Sequence, residues 1–308
     1  MVASKRKAKG RTPGLLSHTR SPHLVTNKPK SGLSAKTTAS IIRTHHQLQK
    51  AHAQAVKAGD QAKAAEIQKQ IEANGGLKKY QVASITGQSA ERGGDSSRVL
   101  VDWLEELRLP GATKAKDANS GQRSTQQAYE VLEVGALSTT NACSQRRYLS
   151  VTRIDLHSQN PGIQQQDFMA RPLPKSDGDR FDIISLSLVL NYVPDAEGRG
   201  EMLKRTCQFL RATSEQAKEN AEVERRPTPC LFFVLPAPCV ENSRYLDRPR
   251  LARIMESLGY VLLKDKVTSK LVYQLWKWTG KPQGKPQKFA KVEVNPGAKR
   301  NNFCVVLK

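Results

Sequence analysis

Apolar residues recur at helical spacing from Ser40 to Lys57, at Ile41, Leu48, Ala51 and Ala55, with polar residues between them. Gly59-Asp60 interrupts this pattern, which resumes from Gln61 to Ala73 through Ala64, Ile67 and Ile71. Asn74-Gly75-Gly76 tolerates the left-handed conformation that closes a helix, so the two stretches predict an antiparallel helical hairpin. Tyr80 to Arg98 is small and polar, and Val99 to Leu107 predicts one more helix. The pattern then changes to short apolar runs, which predict strands near 129–134, 149–154, 163–168, 181–187 and 230–235. Cys230 to Leu235 is apolar throughout, as expected of a parallel strand covered on both faces.

Helical spacing returns between the later strands. Met202, Leu203, Cys207 and Leu210 line one face of a helix that Asp195 can cap, and Leu251, Ile254, Met255 and Leu258 line another that stops at Gly259. Ala212 to Thr228 is charged and poor in apolar residues, so it reads as a surface excursion. Tyr260 to Leu263 and Leu271 to Trp278 predict antiparallel strands, and Asn301 to Leu307 is expected to close the sheet. Five β/α alternations with an antiparallel edge specify an α/β fold: a Rossmann-like doubly wound sheet with an N-terminal helical extension.

The strand ends carry the candidate chemistry. The first run, Tyr129 to Val134, ends in Gly135, where a backbone without a side chain allows a ligand to approach closely. The second ends in Asp155, whose two oxygens suit the vicinal hydroxyls of a ribose. Asp167 can accept from an adenine amino group while Phe168 packs on the ring, and Ser185 on the fourth strand faces the same cleft. Glu133 either points at the ligand or caps a backbone amide. Pyrophosphate sites on this fold need several glycines, and only one is present here. A cofactor with a ribose and no phosphate fits better, and S-adenosylmethionine is the obvious one, which makes the layout that of a class I methyltransferase.

Charge extends the picture to a partner. The net charge is +22, and it is concentrated at the ends. Residues 1–59 hold 12 Lys and Arg and no carboxylate, and residues 264–308 hold 11 against Asp265 and Glu293. Basic ends on a nearly neutral body attract polyphosphate and gain affinity by releasing its counterions, although such runs also serve as solubility or targeting tails. Lys5-Arg6-Lys7-Ala8-Lys9-Gly10-Arg11 suits a nuclear import address. No apolar run has the length that crosses a bilayer, and the basic residues are not followed by a secretory apolar segment, so no membrane partner is expected. The five cysteines have neither disulfide-framework nor zinc spacing, and His45, His46 and His52 are expected on a solvated helix surface, so no metal is expected.

Four stretches together are similar to one family: Tyr129 to Leu137 (YEVLEVGAL), Arg153 to Leu156 (RIDL), Gln166 to Met169 (QDFM) and Phe181 to Pro194 (FDIISLSLVLNYVP). They resemble the fungal large-subunit (25S) ribosomal RNA adenine-N(1) methyltransferases, class I enzymes that use S-adenosylmethionine. Gly87 to Asp95 and Asn301 to Leu307 also resemble that family, so the similarity spans roughly residues 37–308. It implies cofactor contacts at Gly135, Asp155, Asp167, Phe168 and Ser185, with Arg92 on the methionine carboxylate through paired donors. It also implies large-subunit ribosomal RNA or a preribosome as partner, and the nucleus and nucleolus as workplace. An animal branch with a similar cofactor domain acts as an S-adenosylmethionine sensor that regulates a protein partner, which is the alternative function.

Adenine N(1) carries a free lone pair at neutral pH and can attack a sulfonium methyl without first losing a proton, so positioning supplies most of the rate. That atom lies on the base-pairing edge, so the target must be unpaired or extruded. Asn191 and Tyr192, just after the fourth strand, are the candidates for holding the base, the amide on its edge and the phenol stacked on it. The other reading of this stretch is a loop leading to the Asp195 cap. Val193 before Pro194 departs from the Asn/Asp-Pro-Pro-aromatic motif of exocyclic amino methyltransferases. The expected organisation is a disordered basic leader over 1–36, a helical region over 37–110 and a methyltransferase domain over 111–308 that includes a basic arm at 279–300.

Overall fold

The computed structural model describes residues 33–87, 94–107, 128–158, 160–212, 228–281 and 287–308. Its sheet has seven strands in the order β3-β2-β1-β4-β5-β7-β6. The strands are β1 (Tyr129–Val134), β2 (Leu149–Asp155), β3 (Gln164–Gln165), β4 (Ile183–Ser187), β5 (Cys230–Pro236), β6 (Tyr260–Val267) and β7 (Leu271–Trp278). Strands β1 to β5 run parallel, and β7 enters antiparallel between β5 and β6. The order reverses at β1, with β2 on one side and β4 on the other. Ligands of open α/β sheets bind at such a switch point, beyond the carboxyl ends of the strands.

Side-chain alternation divides the core into two layers. Leu132 and Val134 of β1 and Ile184 and Leu186 of β4 face Leu203 and Phe209 of α5 (Ala196–Phe209) and Leu251, Ile254 and Met255 of α7 (Arg248–Ser257). Val131, Ile183, Phe232 and Val234 face α4 (Ser97–Glu106) through Leu100, Val101, Trp103 and Leu104. The sequence grouped α4 with the N-terminal region, but its packing makes it a layer of the sheet domain. The short helix α6 (Pro238–Glu241) follows β5 directly.

Two expectations about the edges are corrected. Parallel connections were expected to carry helices throughout, yet β1 to β2 and β3 to β4 contain only single 3-10 turns, Ala142–Gln145 and Asp177–Asp179. The C-terminal stretch adds no strand to the sheet. It makes isolated bridges, Ser243 with Asn301 and Phe289 with Leu307, and packs Phe303, Val305 and Leu307 into the α5–α7 layer. Gly200 on α5 permits this, because a Cβ there would lie 1.8 Å from the Val306 carbonyl oxygen.

The N-terminal helices form a three-helix cap. Helix α1 (Ala35–Lys57) starts at Ser34, whose hydroxyl accepts from the Thr37 amide, and α2 (Gln61–Ala73) starts at Asp60, whose carboxylate accepts from the Lys63 amide. They pack through Ala55, Ala64, Ile67 and Ile71, a small core separate from that of the sheet. The third helix, α3 (Gly76–Gly87), occupies part of the stretch that the sequence left without an element. Among the described residues no helix is long and apolar enough to cross a membrane. No group of three His, Cys, Asp or Glu among them could hold a metal ion.

Candidate cofactor and substrate cleft

At the end of β1 the chain turns through Gly135, whose φ of 76° is one that L side chains rarely adopt. A Cβ at this position would come within 2.6 Å of Val189 Cγ2, so the β1 turn and the loop after β4 approach each other across the switch point. Leu188, the residue after β4, has a φ of 56°, a left-handed conformation in a bulky residue. Such backbone costs about 1–3 kcal/mol and concentrates at functional sites. No linear signal marks Leu188, because nothing in its type foretells the turn.

Glu133 is a buried acid of the cleft with one oxygen unsatisfied. Its Oε1 accepts from Asn141 Nδ2 at 2.6 Å, and among the described residues its Oε2 has no hydrogen-bond partner. Burial pushes its carboxyl up to about 7, opposed by the Asn141 bond. A buried carboxylate oxygen without a donor is costly, so the site favours a donor or cation brought by a ligand. Ser185 is buried in register with Glu133 on the neighbouring strand. Ser187, two residues on, shares a 2.8 Å hydrogen bond with Ser96. Asp95 anchors the same corner: its carboxylate accepts from the Ser97 amide, the Ser97 hydroxyl and the Ala142 amide. The described end of the Gly87–Asp95 stretch is therefore docked against the ends of β1 and β4. Arg92 lies outside the described residues.

Asp155 and Asp167 hold similar local turns. Asp155 Oδ1 accepts from the His157 amide and Asp167 Oδ1 from the Met169 amide, each at 2.8 Å, which among the described residues leaves one oxygen of each open to a ligand. Asp155 is half-buried, and desolvation raises its pKa. Phe168 is placed differently from the adenine-facing role. It is 3% exposed, lies 5.4 Å from Phe209 between ring centroids and carries the Arg205 guanidinium at 5.9 Å, so its ring is occupied by the core. The structure thus gathers Gly135, Glu133, Asp155 and Ser185 at one end of the sheet and turns the Phe168 ring inward.

The loop after β4 meets the cap. Tyr192 is packed against His46 of α1, and Tyr80 of α3 stacks on His45 at 4.5 Å. His45 and His46 were expected on a solvated surface; instead they are at the contact between cap and body. Burial, with His45 and Lys50 nearby, pushes His46 down to about 3, so it is neutral. Among the described residues Asn191 Oδ1 is buried without a partner, and burial raises the Tyr192 pKa. A cleft of about 500 Å³ opens beside them, bordered by His45, His52, His157, Tyr192 and Pro194.

The family model described as 25S rRNA (adenine(2142)-N(1))-methyltransferase, Bmt2, matches residues 65–305. The chain belongs to this family. A Saccharomyces cerevisiae member, named 25S rRNA (adenine(2142)-N(1))-methyltransferase, is 37% identical over 245 residues, covering 78% of this chain and 63% of that protein. A Schizosaccharomyces pombe member, 25S rRNA adenine-N(1) methyltransferase, is 35% identical over 266 residues, covering 86% of this chain and 89% of its own length. The chain thus spans under two thirds of the first relative and most of the second. Among solved structures, the N-methyltransferase NodS from Bradyrhizobium japonicum WM9, in complex with S-adenosyl-L-homocysteine, is similar at TM-score 0.37 and 11% identity, covering 62% of this chain and 91% of that one. In this family member the strand order and the register around the switch point carry the fold assignment.

The cleft fits S-adenosylmethionine on its own geometry. A glycine turn that a Cβ would fill, a free carboxylate oxygen at Asp155 and the unpartnered Glu133 Oε2 match a close backbone approach, a ribose diol and an ammonium respectively.

Proposed function

We propose that this chain transfers a methyl group from S-adenosylmethionine to N(1) of an adenine in 25S ribosomal RNA. The family match across residues 65–305, laid over a switch-point cleft with these acceptors, carries the reading. The cofactor supplies a methyl on a positively charged sulfur, which a neutral ring nitrogen can attack. Asp155 and Asp167 hold the nucleoside part by accepting from its hydroxyl and amino groups. Glu133 holds the ammonium, Gly135 admits the methionine part, and Ser185 lies beside Glu133 on the neighbouring strand. Arg92 is proposed for the methionine carboxylate on the family motif alone. Asn191 and Tyr192 stand on the substrate side, where the unpartnered Asn191 oxygen can accept from the adenine amino group and orient N(1).

No general base is required, because the attacking lone pair is free at neutral pH; orientation is the contribution of the protein. Both curated relatives are named as enzymes, so the sensor alternative gains no support. The nucleus and nucleolus are the proposed workplace, supported by the basic run from Lys5 to Arg11 and by the substrate class. RNA within a preribosome is the proposed form of the substrate, since the target edge must be unpaired when it is modified.

The test is transfer of labelled methyl to 25S ribosomal RNA lacking the modification, read by nucleoside mass spectrometry. The expected product is 1-methyladenosine. Label on another base or on protein, or cofactor binding without transfer to naked RNA or preribosomes, would overturn the proposal.

A further inference from the structure

Residues 288–300 contain no regular helix or strand, yet they are stapled to the body along their length. Phe289 is buried and bridges Leu307, and Arg250 donates to the Ala290 carbonyl. The Val294 and Asn295 amides both donate to the Arg244 carbonyl, and the Asn295 side chain donates to the Ser243 carbonyl. Arg244 donates back to the Gly297 carbonyl and to Asn302 Oδ1. An irregular segment held by this many bonds has a defined shape.

Its exposed side is basic and uncompensated. Lys288, Lys291 and Lys299 are exposed and Arg300 is half-buried, against the single acid Glu293. Among the described residues, none of these four cations nor Arg244 forms an ion pair with a carboxylate, whereas the nearby Arg248 pairs with Asp265. Lys291 Nζ instead sits 4.5 Å from the centre of the Tyr245 ring, with the Arg244 guanidinium at 5.9 Å. The ring positions two charges without neutralising them. Cations already in place lose less conformational freedom on meeting an anion.

The location is equally specific. Ser243, Arg244 and Tyr245 follow β5 and α6, at the same carboxyl end of the sheet as the cleft. The connection to the cleft runs through Arg199 of α5. Arg199 donates to the Val193, Pro194 and Cys304 carbonyls and lies over the Phe303 ring at 4.5 Å, which ties the loop after β4 to the stretch that follows this segment.

We propose that segment 288–300, with Arg244 and Tyr245, is the docking surface for the phosphate backbone of the RNA strand that carries the target adenosine; this rests on the RNA reading above. A polyanion is the partner that this cluster fits: its cations have no carboxylate partner among the described residues, and Lys291 and Arg244 are held against the Tyr245 ring. The surface sets register on the strand, while base choice is made inside the cleft.

The test uses the full chain, a fluorescein-labelled unmodified 25S ribosomal RNA fragment and the double variant Lys291→Glu with Lys299→Glu. The control has the same charge change, Lys175→Glu with Lys281→Glu, at exposed positions near the amino end of the parallel strands. Fluorescence anisotropy across a salt series should show the rim variant binding about tenfold more weakly, with a salt slope reduced by about 1.4, the amount for two lost single-strand phosphate contacts. The control should stay near wild type, and Lys291→Arg with Lys299→Arg should retain binding. Methyl transfer by the rim variant should show a raised KM for RNA with kcat and cofactor affinity unchanged. Equal effects of rim and control variants, or wild-type RNA binding that does not respond to salt, would overturn the surface. Salt-sensitive binding lost only in the rim variant, with no methyl transfer by wild type, would uphold the surface and sink the catalytic reading.

Discussion

The imidazole of His46, on α1, lies 3.9 Å between ring centroids from the phenol ring of Tyr192, which follows β4. This contact joins a helical cap with a very small core of its own to the substrate side of the cleft. It also depends on the imidazole being uncharged. His46 titrates near 3 in the fold and near 6.5 when unfolded, so between those values the unfolded chain takes up a proton that the folded chain refuses. Stability is therefore expected to fall as pH drops from about 6.5, by at most about 1.4 kcal/mol per unit from this group. His46→Phe keeps the ring and removes the proton site. Its melting temperature should lose less than that of wild type between neutral pH and pH ~5. An identical loss in both would remove His46 as the cause.

Cofactor affinity should rise with pH through about 7, the value to which burial pushes Glu133. Below it the carboxyl holds a proton and cannot offer its charge to an ammonium, so affinity should fall by up to about tenfold per unit. Glu133→Gln should weaken binding at neutral pH and flatten the profile. Calorimetric titration with S-adenosylhomocysteine at several pH values measures both, and an unchanged slope in the variant would assign the titration elsewhere.

Asp155→Ala removes the acceptor at the end of β2. Hydrogen bonds to charged groups contribute about 1.5–3 kcal/mol, so cofactor binding should weaken roughly 10- to 100-fold. The chain gives up one turn bond, to the His157 amide, so the melting temperature should change little. A large loss of stability with intact affinity would reverse the roles assigned here.

Gly200→Ala tests how the tail is held. The added methyl would collide with the Val306 carbonyl, whose residue also donates its amide to the Ala196 carbonyl. Overpacking at such a site costs about 3 kcal/mol, far more than helix propensity returns. Urea denaturation should show the loss, and a variant as stable as wild type would mean that the tail can move away from α5 without cost.

The sequence by itself determined the strands around the switch point and the residues at their ends. Runs such as Ile183–Ser187 and Cys230–Pro236 are apolar because both faces are covered, and that requirement is local enough to be written in the chain. The placing of Gly135 and Asp155 at one edge followed, since a parallel sheet brings successive carboxyl ends together. Helix α3 was not legible because it inverts the usual pattern: Gln81 and Ser84 are buried while Val82 and Ile85 are about half exposed. Its polar face turns inward against a polar body, Gln81 donating to the His157 carbonyl. Only the tertiary structure decided that His46 meets Tyr192, that Phe168 turns into the core and that residues 288–300 fold back beside Tyr245. Each is a contact between segments far apart in sequence, fixed by which surfaces remain to be covered once the sheet has formed, and no local spacing records that choice.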